Sequence, residues 1–132
     1  MKIDSHHHIW ELQVTPQDWI VGDAMAPINK NFSLDDLKRE SNPFGISKVV
    51  TVQTVTNYLE TPRLLETALA DDFVAGVVGW LDVDSPSAIN ELDKYQSLPG
   101  LWCTKHNTSG GNTSNSRRAL YLCMEWYLYE SA

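Results

Sequence analysis

Two runs of β-branched residues, each followed by a signal for the start of a helix, constrain this chain most. The runs are ISKVVTVQTVT at residues 46–56 and FVAGVVGWLDV at residues 73–83. Consecutive valines indicate strands that are buried on both faces, as in a parallel sheet. Thr61 with Pro62 combines a capping hydroxyl with a proline at the first helical position, and Ser85 with Pro86 repeats the device. Each strand is therefore followed by a predicted helix, the first over 62–71.

One more strand and one more helix are predicted upstream. Residues 2–9, KIDSHHHI, predict a first strand, and residues 11–31, with two prolines and no helical period, predict a loop insertion. Ser33 with Asp36 three positions later is typical of a helix N-cap, so a helix is predicted over 34–41. Strand and helix thus alternate three times, and this order predicts an α/β fold with right-handed crossovers on a parallel sheet.

Glycines in the third strand predict a close packing contact. Gly76 and Gly79 interrupt the valine-rich run, and a glycine inside a strand often marks a place where a neighbouring backbone approaches. We therefore expect another segment to lie against this strand.

Charge and hydropathy exclude several classes of partner. Lys and Arg total 10 against 17 Asp and Glu, which gives a net charge of -7 and leaves no basic surface to attract nucleic acid or an anionic membrane. No stretch approaches the ~20 apolar residues that span a bilayer, and the first ten residues lack an apolar secretory segment. We expect a cytoplasmic protein with Cys103 and Cys123 reduced, and neither nucleic acid nor membrane as a partner.

The triple histidine offers a candidate metal site. His6 and His8 are two positions apart on a predicted strand, so their side chains leave the same face roughly 6.6 Å apart and can converge on one cation. Asp4 shares that face by alternation, whereas His7 points the other way. The spacing alone leaves open a simpler interpretation, a pair of hydrogen-bonded polar residues at a strand end.

Three separated motifs give this chain a family resemblance. The segments I-D-S-H-x-H-x-W, V-V-T-V-Q-T and D-F-V-A-G-V-V-G-W-L-D-V occur in the order seen in the lactonase-like branch of the amidohydrolase superfamily, which the chain resembles over residues 2–99. The branch includes L-fuconolactonases and 2-pyrone-4,6-dicarboxylate lactonase. The resemblance implies a TIM (β/α)8 barrel, of which this chain would form the first three βα units. It also implies a hydrolase that opens a sugar-derived or carboxylated lactone, a small-molecule substrate.

The resemblance also implies roles for particular residues. His6 and His8 match positions that bind a divalent metal, usually zinc, or that hydrogen-bond the substrate carbonyl in relatives without tightly held metal. Gln53 and Asp82 fall at the carboxyl ends of strands, where a barrel keeps its functional groups. Gln53 is expected to hydrogen-bond substrate or to be a solvated strand end, and Asp82 to orient a histidine or to cap the next helix. Trp19 is expected to line the pocket, and Trp80 to be buried packing.

The sequence changes character after residue 99. A tract of Ser, Thr, Asn and Gly follows, which cannot bury enough apolar area to offset its ordering entropy. We therefore expect a partial barrel over 1–99 and an atypical, partly disordered tail over 100–132, which together form a fragment with little activity alone. His106 is a third candidate metal ligand.

The open edge that an incomplete barrel leaves suggests a different function. An unpaired edge strand can add a strand from another chain. The alternative prediction is therefore a small α/β binding module that self-associates through its open sheet edge.

Overall fold

A computed structural model of the chain describes residues 1–96 and 101–105. Four strands form one parallel sheet, in the spatial order β1, β2, β3, β4. The strands are β1 (Ile3–His7), β2 (Lys48–Val52), β3 (Val74–Trp80) and β4 (Leu101–Lys105). The helices are α1 (Leu34–Ser41), α2 (Glu60–Ala70) and α3 (Ala88–Gln96), with short 3-10 helices at Asp23–Ile28 and Asn42–Phe44.

The predicted α/β class and the parallel sheet are confirmed. The three predicted strands are present in the predicted order, but β4 adds a fourth that pairs with β3 inside the segment assigned to the tail. Residues 106–132 lie outside the described residues, so the division at residue 99 stays a prediction. None of the described helices is long and apolar enough to cross a bilayer.

Helix α1 begins where the capping signal predicted. The Ser33 hydroxyl accepts a hydrogen bond from the Asp36 N–H at 3.1 Å, and the Asp36 carboxylate accepts the Ser33 N–H at 3.0 Å. This reciprocal capping box satisfies two backbone donors that the helix itself cannot pair. Hydrogen bonds that the Ser33 N–H and the Ser33 hydroxyl donate to this carboxylate, and then the bond from Arg39, keep the pKa of Asp36 well below its usual range.

Helix α2 does not begin as predicted. It starts at Glu60 after Leu59, and no side chain caps it. The Thr61 hydroxyl, predicted to be the cap, instead donates to the Trp80 carbonyl at 2.9 Å and accepts the Trp80 N–H at 2.7 Å. The prediction was wrong because a contact with a distant strand uses the hydroxyl that local sequence assigned to the helix end.

Gly79 lets α2 approach β3 this closely. A Cβ atom at Gly79 would lie 2.5 Å from the Thr61 Cγ2 and 2.7 Å from its Oγ1. The neighbour at Gly79 is therefore a helix side chain, where the sequence predicted a backbone. Thr61 and Gly79 together fix α2 against the end of β3.

The main core lies between the sheet and α2. Val49 and Val77 pack with Leu64 and Leu65 of α2 in one buried cluster. We call the side of the sheet that they occupy the helix face. Since successive side chains on a strand point to opposite sides, Trp80 lies on the other side from Gly79 and Val77. A second buried cluster joins the residues after β3 to α3, and its members are Leu81, Val83, Ala88 and Leu92.

We expect the Gly79→Ala variant to lose about 1–3 kcal/mol in the free energy of unfolding, because its Cβ overlaps Thr61. Urea unfolding followed by circular dichroism measures the loss. The Thr61→Ser variant removes Cγ2 and keeps the hydroxyl, so Gly79→Ala should cost less in that background. An equal cost in both backgrounds would show that the contact does not limit packing here.

Candidate functional site

His6 and His8 project together from the carboxyl end of β1. Their ring centroids are 5.0 Å apart and the rings meet edge to face at 78°. Both side chains are exposed, whereas His7 between them is buried with 8% of its surface accessible. The predicted alternation therefore holds, and two imidazoles share one side of the sheet.

A backbone contact fixes the tautomer of His8. Its Nδ1 lies 2.8 Å from the Val52 carbonyl oxygen at the end of β2. A carbonyl oxygen only accepts hydrogen bonds, so Nδ1 carries the hydrogen, and the lone pair of the neutral ring resides on Nε2. Metal-binding histidines are commonly oriented in this way, with the other ring nitrogen bonded to a carbonyl.

His7 serves the fold on the opposite side of the sheet. Its Nε2 lies 3.0 Å from the Thr51 hydroxyl, and Thr51 shares the helix face with Val49. Burial lowers the pKa of His7 to about 4, although the charge of Asp4 acts in the other direction. His7 is therefore uncharged at neutral pH and stands apart from the exposed pair.

Asp4 contacts the backbone of the histidine segment. The strand register shifts between Asp4 and His7, and the Asp4 carboxylate accepts the His6 N–H at 3.1 Å. Simple alternation predicted Asp4 beside the two rings. The structure instead uses its carboxylate to hold the local backbone of β1.

The two exposed imidazoles fit part of a divalent metal site. A zinc site takes about four ligands, usually including neutral histidines. Within residues 1–96 and 101–105, no group of three or more His, Cys, Asp or Glu side chains is placed to hold a metal. His106 lies outside these residues. His6 and His8 can therefore supply two ligands, and the fixed tautomer of His8 suits that role.

Gln53 is buried at the end of β2. Its side chain is 5% exposed, its N–H donates to the Val78 carbonyl at 2.8 Å, and its side-chain oxygen makes no hydrogen bond within the described residues. The interpretation as a solvated strand end is wrong. An unpaired buried acceptor carries a cost in stability.

Trp19 is held at the surface by a chain of hydrogen bonds. Its indole N–H donates to the Gln17 side-chain oxygen at 2.8 Å, and the Gln17 amide donates to the Thr54 hydroxyl at 2.8 Å. Gln17 is buried, whereas Trp19 is 43% exposed. The predicted loop insertion is thereby joined to the loop after β2.

A buried carboxylate that the sequence did not single out completes this chain of hydrogen bonds. Glu60 is 2% exposed and accepts the Thr54 hydroxyl, the Thr54 N–H at 2.8 Å and the Val55 N–H at 3.0 Å. These donors offset the cost of burying its charge. The sequence offered only an acidic residue at a helix start, a position that the helix dipole favours in any protein.

A third group of residues lies at the end of β3. The Tyr58 hydroxyl donates to Asp82 at 3.2 Å, and the Tyr58 ring meets the Trp80 ring edge to face with centroids 5.1 Å apart. We call Tyr58, Trp80 and Asp82 the Tyr58 cluster. Partial desolvation and then the charge of Asp82 raise the pKa of Tyr58, so its hydroxyl stays protonated.

Two sequence predictions change at this cluster. Asp82 accepts the Asp84 N–H at 3.1 Å, and α3 begins only at Ala88, so Asp82 does not cap that helix. Trp80 is half-buried, which leaves part of its ring accessible rather than enclosed as packing.

The Glu60→Gln variant should change the environment of the Trp19 indole. An amide can accept fewer hydrogen bonds than a carboxylate, so we expect a loss of about 1–3 kcal/mol in the free energy of unfolding and a shifted indole N–H resonance for Trp19. Urea unfolding and ¹⁵N NMR measure the two effects. Glu66→Gln, an exposed site on the same helix, is the control and should leave both unchanged. A folded Glu60→Gln variant with an unmoved Trp19 resonance would contradict the connection.

Comparison with known proteins identifies relatives over part of their length. No family model matches the chain. An L-fucono-1,5-lactonase of Burkholderia ambifaria is 30% identical over 103 residues, which cover 76% of this chain and 35% of the relative. Another, of Burkholderia multivorans, is 28% identical over 96 residues, covering 73% of this chain and 32% of the relative. The chain thus spans about a third of the length of the curated relatives it matches.

Solved structures show the same partial similarity. An amidohydrolase of Burkholderia multivorans with bound HEPES superimposes with a TM-score of 0.73 at 27% identity, over 80% of this chain and 36% of that one. A second crystal form of an amidohydrolase from this organism contains bound zinc and gives a TM-score of 0.71 at 27% identity, over 80% of this chain and 37% of that one. A probable 2-pyrone-4,6-dicarboxylic acid hydrolase of Acinetobacter baumannii, solved with citric acid, is 16% identical with a TM-score of 0.61. The match covers 91% of this chain and 44% of the Acinetobacter protein, and it shows that the two have a similar fold.

Proposed function

Because this chain is related, over 76% of its length, to lactonase-like members of the amidohydrolase superfamily, we propose that it supplies the first part of a lactone-hydrolysing active site. The reaction adds water across the C–O ester bond of a cyclic ester and yields a hydroxy acid. The observation that carries the proposal is the exposed pair His6 and His8, with the tautomer of His8 fixed by Val52.

The histidine pair has two ways to act on the lactone carbonyl. Two neutral imidazoles would hold a divalent cation, zinc by analogy with the relative solved with that metal, and such a cation polarises a carbonyl oxygen. Without a metal, a ring N–H would donate a hydrogen bond to the same oxygen. In both cases the contact of His8 with Val52 keeps its ring in position while charge develops on the carbonyl.

Three further side chains are proposed to bind the substrate. The unpaired side-chain oxygen of Gln53 would accept a donor from the lactone, and Asp82 would accept a hydroxyl. Trp19, held by Gln17 and 43% exposed, would form an apolar wall. The proposed substrate is a sugar-derived or carboxylated lactone.

A chimera tests the proposed site. Residues 2–96 replace the matching segment of the Burkholderia multivorans lactonase, and hydrolysis of L-fucono-1,5-lactone is followed by the acid released. We expect His6→Ala combined with His8→Ala to lower kcat/KM at least 100-fold, the usual scale for removing a group that stabilises carbonyl charge. If a folded chimera with this double substitution keeps its activity, His6 and His8 do not act in hydrolysis.

His7→Gln is the matched control in the chimera. It changes the adjacent histidine, which faces Thr51 on the helix face, so kcat/KM should stay within about threefold. The isolated 132-residue chain is expected to show little activity, since it spans about a third of its relatives.

Zinc binding to the isolated chain tests the metal role of the histidine pair. The zinc affinity, measured by calorimetry, should fall with His6→Ala and not with His7→Gln.

The alternative function, a binding module, is favoured by one observation. β1 lies at one end of the strand order, and its Ile3 is 43% exposed. An exposed edge strand can pair with a second copy of the chain. Light scattering decides: a discrete dimer that Ile3→Lys dissociates supports the module, and a monomer contradicts it.

A further inference from the structure

A groove of about 600 Å³ lies on the helix face, between the start of α1 and the side of α2. We call it the α1–α2 groove. His6, His8 and Gln53 are not among the described residues that line it, so it is separate from the proposed lactone site. One face of α2 forms a wall roughly 15 Å long, and the residues on this face are Glu60, Arg63, Leu64, Thr67 and Ala70.

The opposite wall of the groove is a pinned segment of the loop between β1 and α1. Trp10 and Phe32 exchange two backbone hydrogen bonds, at 3.0 and 2.9 Å, and their rings meet edge to face with centroids 5.0 Å apart. The Trp10 indole N–H also donates to the Lys30 carbonyl at 2.8 Å. Both aromatic rings are half-buried. The groove is therefore preformed, with aromatic surface on one wall and Leu64 on the other.

The charged groups around the groove are mostly acidic. Arg63 is the single cation among the described lining residues, and its guanidinium lies 3.6 Å from Glu11 and 3.5 Å from Glu66. The ammonium of Lys30, over the Phe32 ring, reduces the negative excess without removing it. An apolar occupant that carries positive charge fits such a groove. The lining carboxylates are Glu11, Asp35, Glu60 and Glu66.

The sequence of this chain contains a segment of that chemistry. Residues 117–129 read RRALYLCMEWYLY, two arginines followed by an almost continuous apolar run in which Glu125 is the one charged residue. These residues lie outside the part of the chain that the structure describes. A contiguous apolar run of this kind is unfavourable in water, so it favours a covering surface.

The length of the intervening chain allows the segment to reach the groove. β4 ends at Lys105, and residues 106–116 separate it from Arg117. An extended chain spans about 3.3–3.6 Å per residue, so these residues bridge up to roughly 35–40 Å. β4 lies two strand spacings from β2, roughly 10 Å, and α2 packs on β2 and β3. The distance to be covered is well within that span.

We propose that the α1–α2 groove binds residues 117–129 of the same chain. The apolar run packs against Trp10, Phe32 and Leu64, and Arg117 and Arg118 lie near the carboxylates of the groove. This interaction goes beyond the proposed lactone hydrolysis and does not depend on it.

Paramagnetic broadening in the full 132-residue chain tests the contact. A nitroxide is attached at Ser131→Cys, just beyond the segment, in a background of Cys103→Ser and Cys123→Ser. The ¹⁵N-labelled chain should show strong broadening of the Thr67 amide and the Trp10 indole N–H. The Ile3 amide and the Trp80 indole N–H, which lie away from the groove, should broaden less.

Substitutions on both sides of the contact should release the segment. Thr67→Lys places bulk and positive charge in the groove and should abolish the specific broadening, whereas Leu69→Lys, on the same helix but outside the described lining, should not. Arg117→Glu with Arg118→Glu should lower the ratio of docked to free segment roughly tenfold, since each of two surface ion pairs is replaced by repulsion. The double variant leaves every described residue unchanged, so its result does not depend on the folding of a groove variant.

Four results would overturn the proposal. The first is broadening that is strongest at Ile3 or Trp80, and the second is broadening with no preferred site. The third is groove broadening that persists in a folded Thr67→Lys variant. The fourth comes from a mixture of ¹⁵N-labelled chain without nitroxide and unlabelled chain with nitroxide: groove broadening there as strong as in the single sample would show that a second copy supplies the segment.

Discussion

The hydrogen bond from His8 Nδ1 to the Val52 carbonyl joins the end of β1 to the end of β2, and the candidate site depends on it. It fixes which ring nitrogen carries the hydrogen and keeps the ring beside His6. The bond forms because the strands are parallel, so the carboxyl end of β1 meets the carboxyl end of β2. An antiparallel pair would place these atoms at opposite edges of the sheet. The chemistry at His8 thus follows from the direction of its neighbouring strand.

Buried polar groups hold the loops that surround this edge. Glu60 binds the backbone of the loop after β2, and Thr61 binds the end of β3, so the first two residues of α2 anchor two strand ends. Side chains of the helix thereby replace the hydrogen bonds that loop backbone would otherwise make to water. Tyr58 lies between these anchors and Trp19 is tied to one of them through Gln17. The candidate substrate-binding residues therefore stand on loops with fixed backbones.

Local signals in the sequence predicted local structure well. The start of α1 was predicted from Ser33 and Asp36 because a capping box involves residues only three apart. β2 and β3 followed from valine content, their parallel order followed from the alternation of strands with helices, and the opposite sides taken by His7 and its two neighbours followed from alternation along β1. The burial of His7 against an exposed neighbour on each side needed nothing beyond that alternation.

Contacts between distant segments account for the predictions that failed. The Thr61 hydroxyl had a local role in the sequence and a distant partner, Trp80, in the structure. Glu60 appeared as an ordinary acidic residue because its donors come from a loop whose path the sequence does not specify. The five-residue strand β4 was not predicted, because the tract of Ser, Thr, Asn and Gly that follows it indicated an atypical tail. For Thr61 and Glu60 the deciding partner lies on another part of the fold, and β4 is likewise defined by its pairing with β3.

Three consecutive histidines raise the question of what keeps the register of β1 unique. A slip of one residue would exchange the two faces of the strand, burying His6 and His8 and exposing His7. Burial lowers the pKa of the single inward histidine to about 4, which shows how strongly the helix face disfavours a charged ring. Two inward histidines would bury two rings with polar nitrogens, and even the single inward ring, which meets the Thr51 hydroxyl, leaves its Nδ1 without a hydrogen bond among the described residues. The apolar side of the sheet therefore selects the register that presents two imidazoles on the other side.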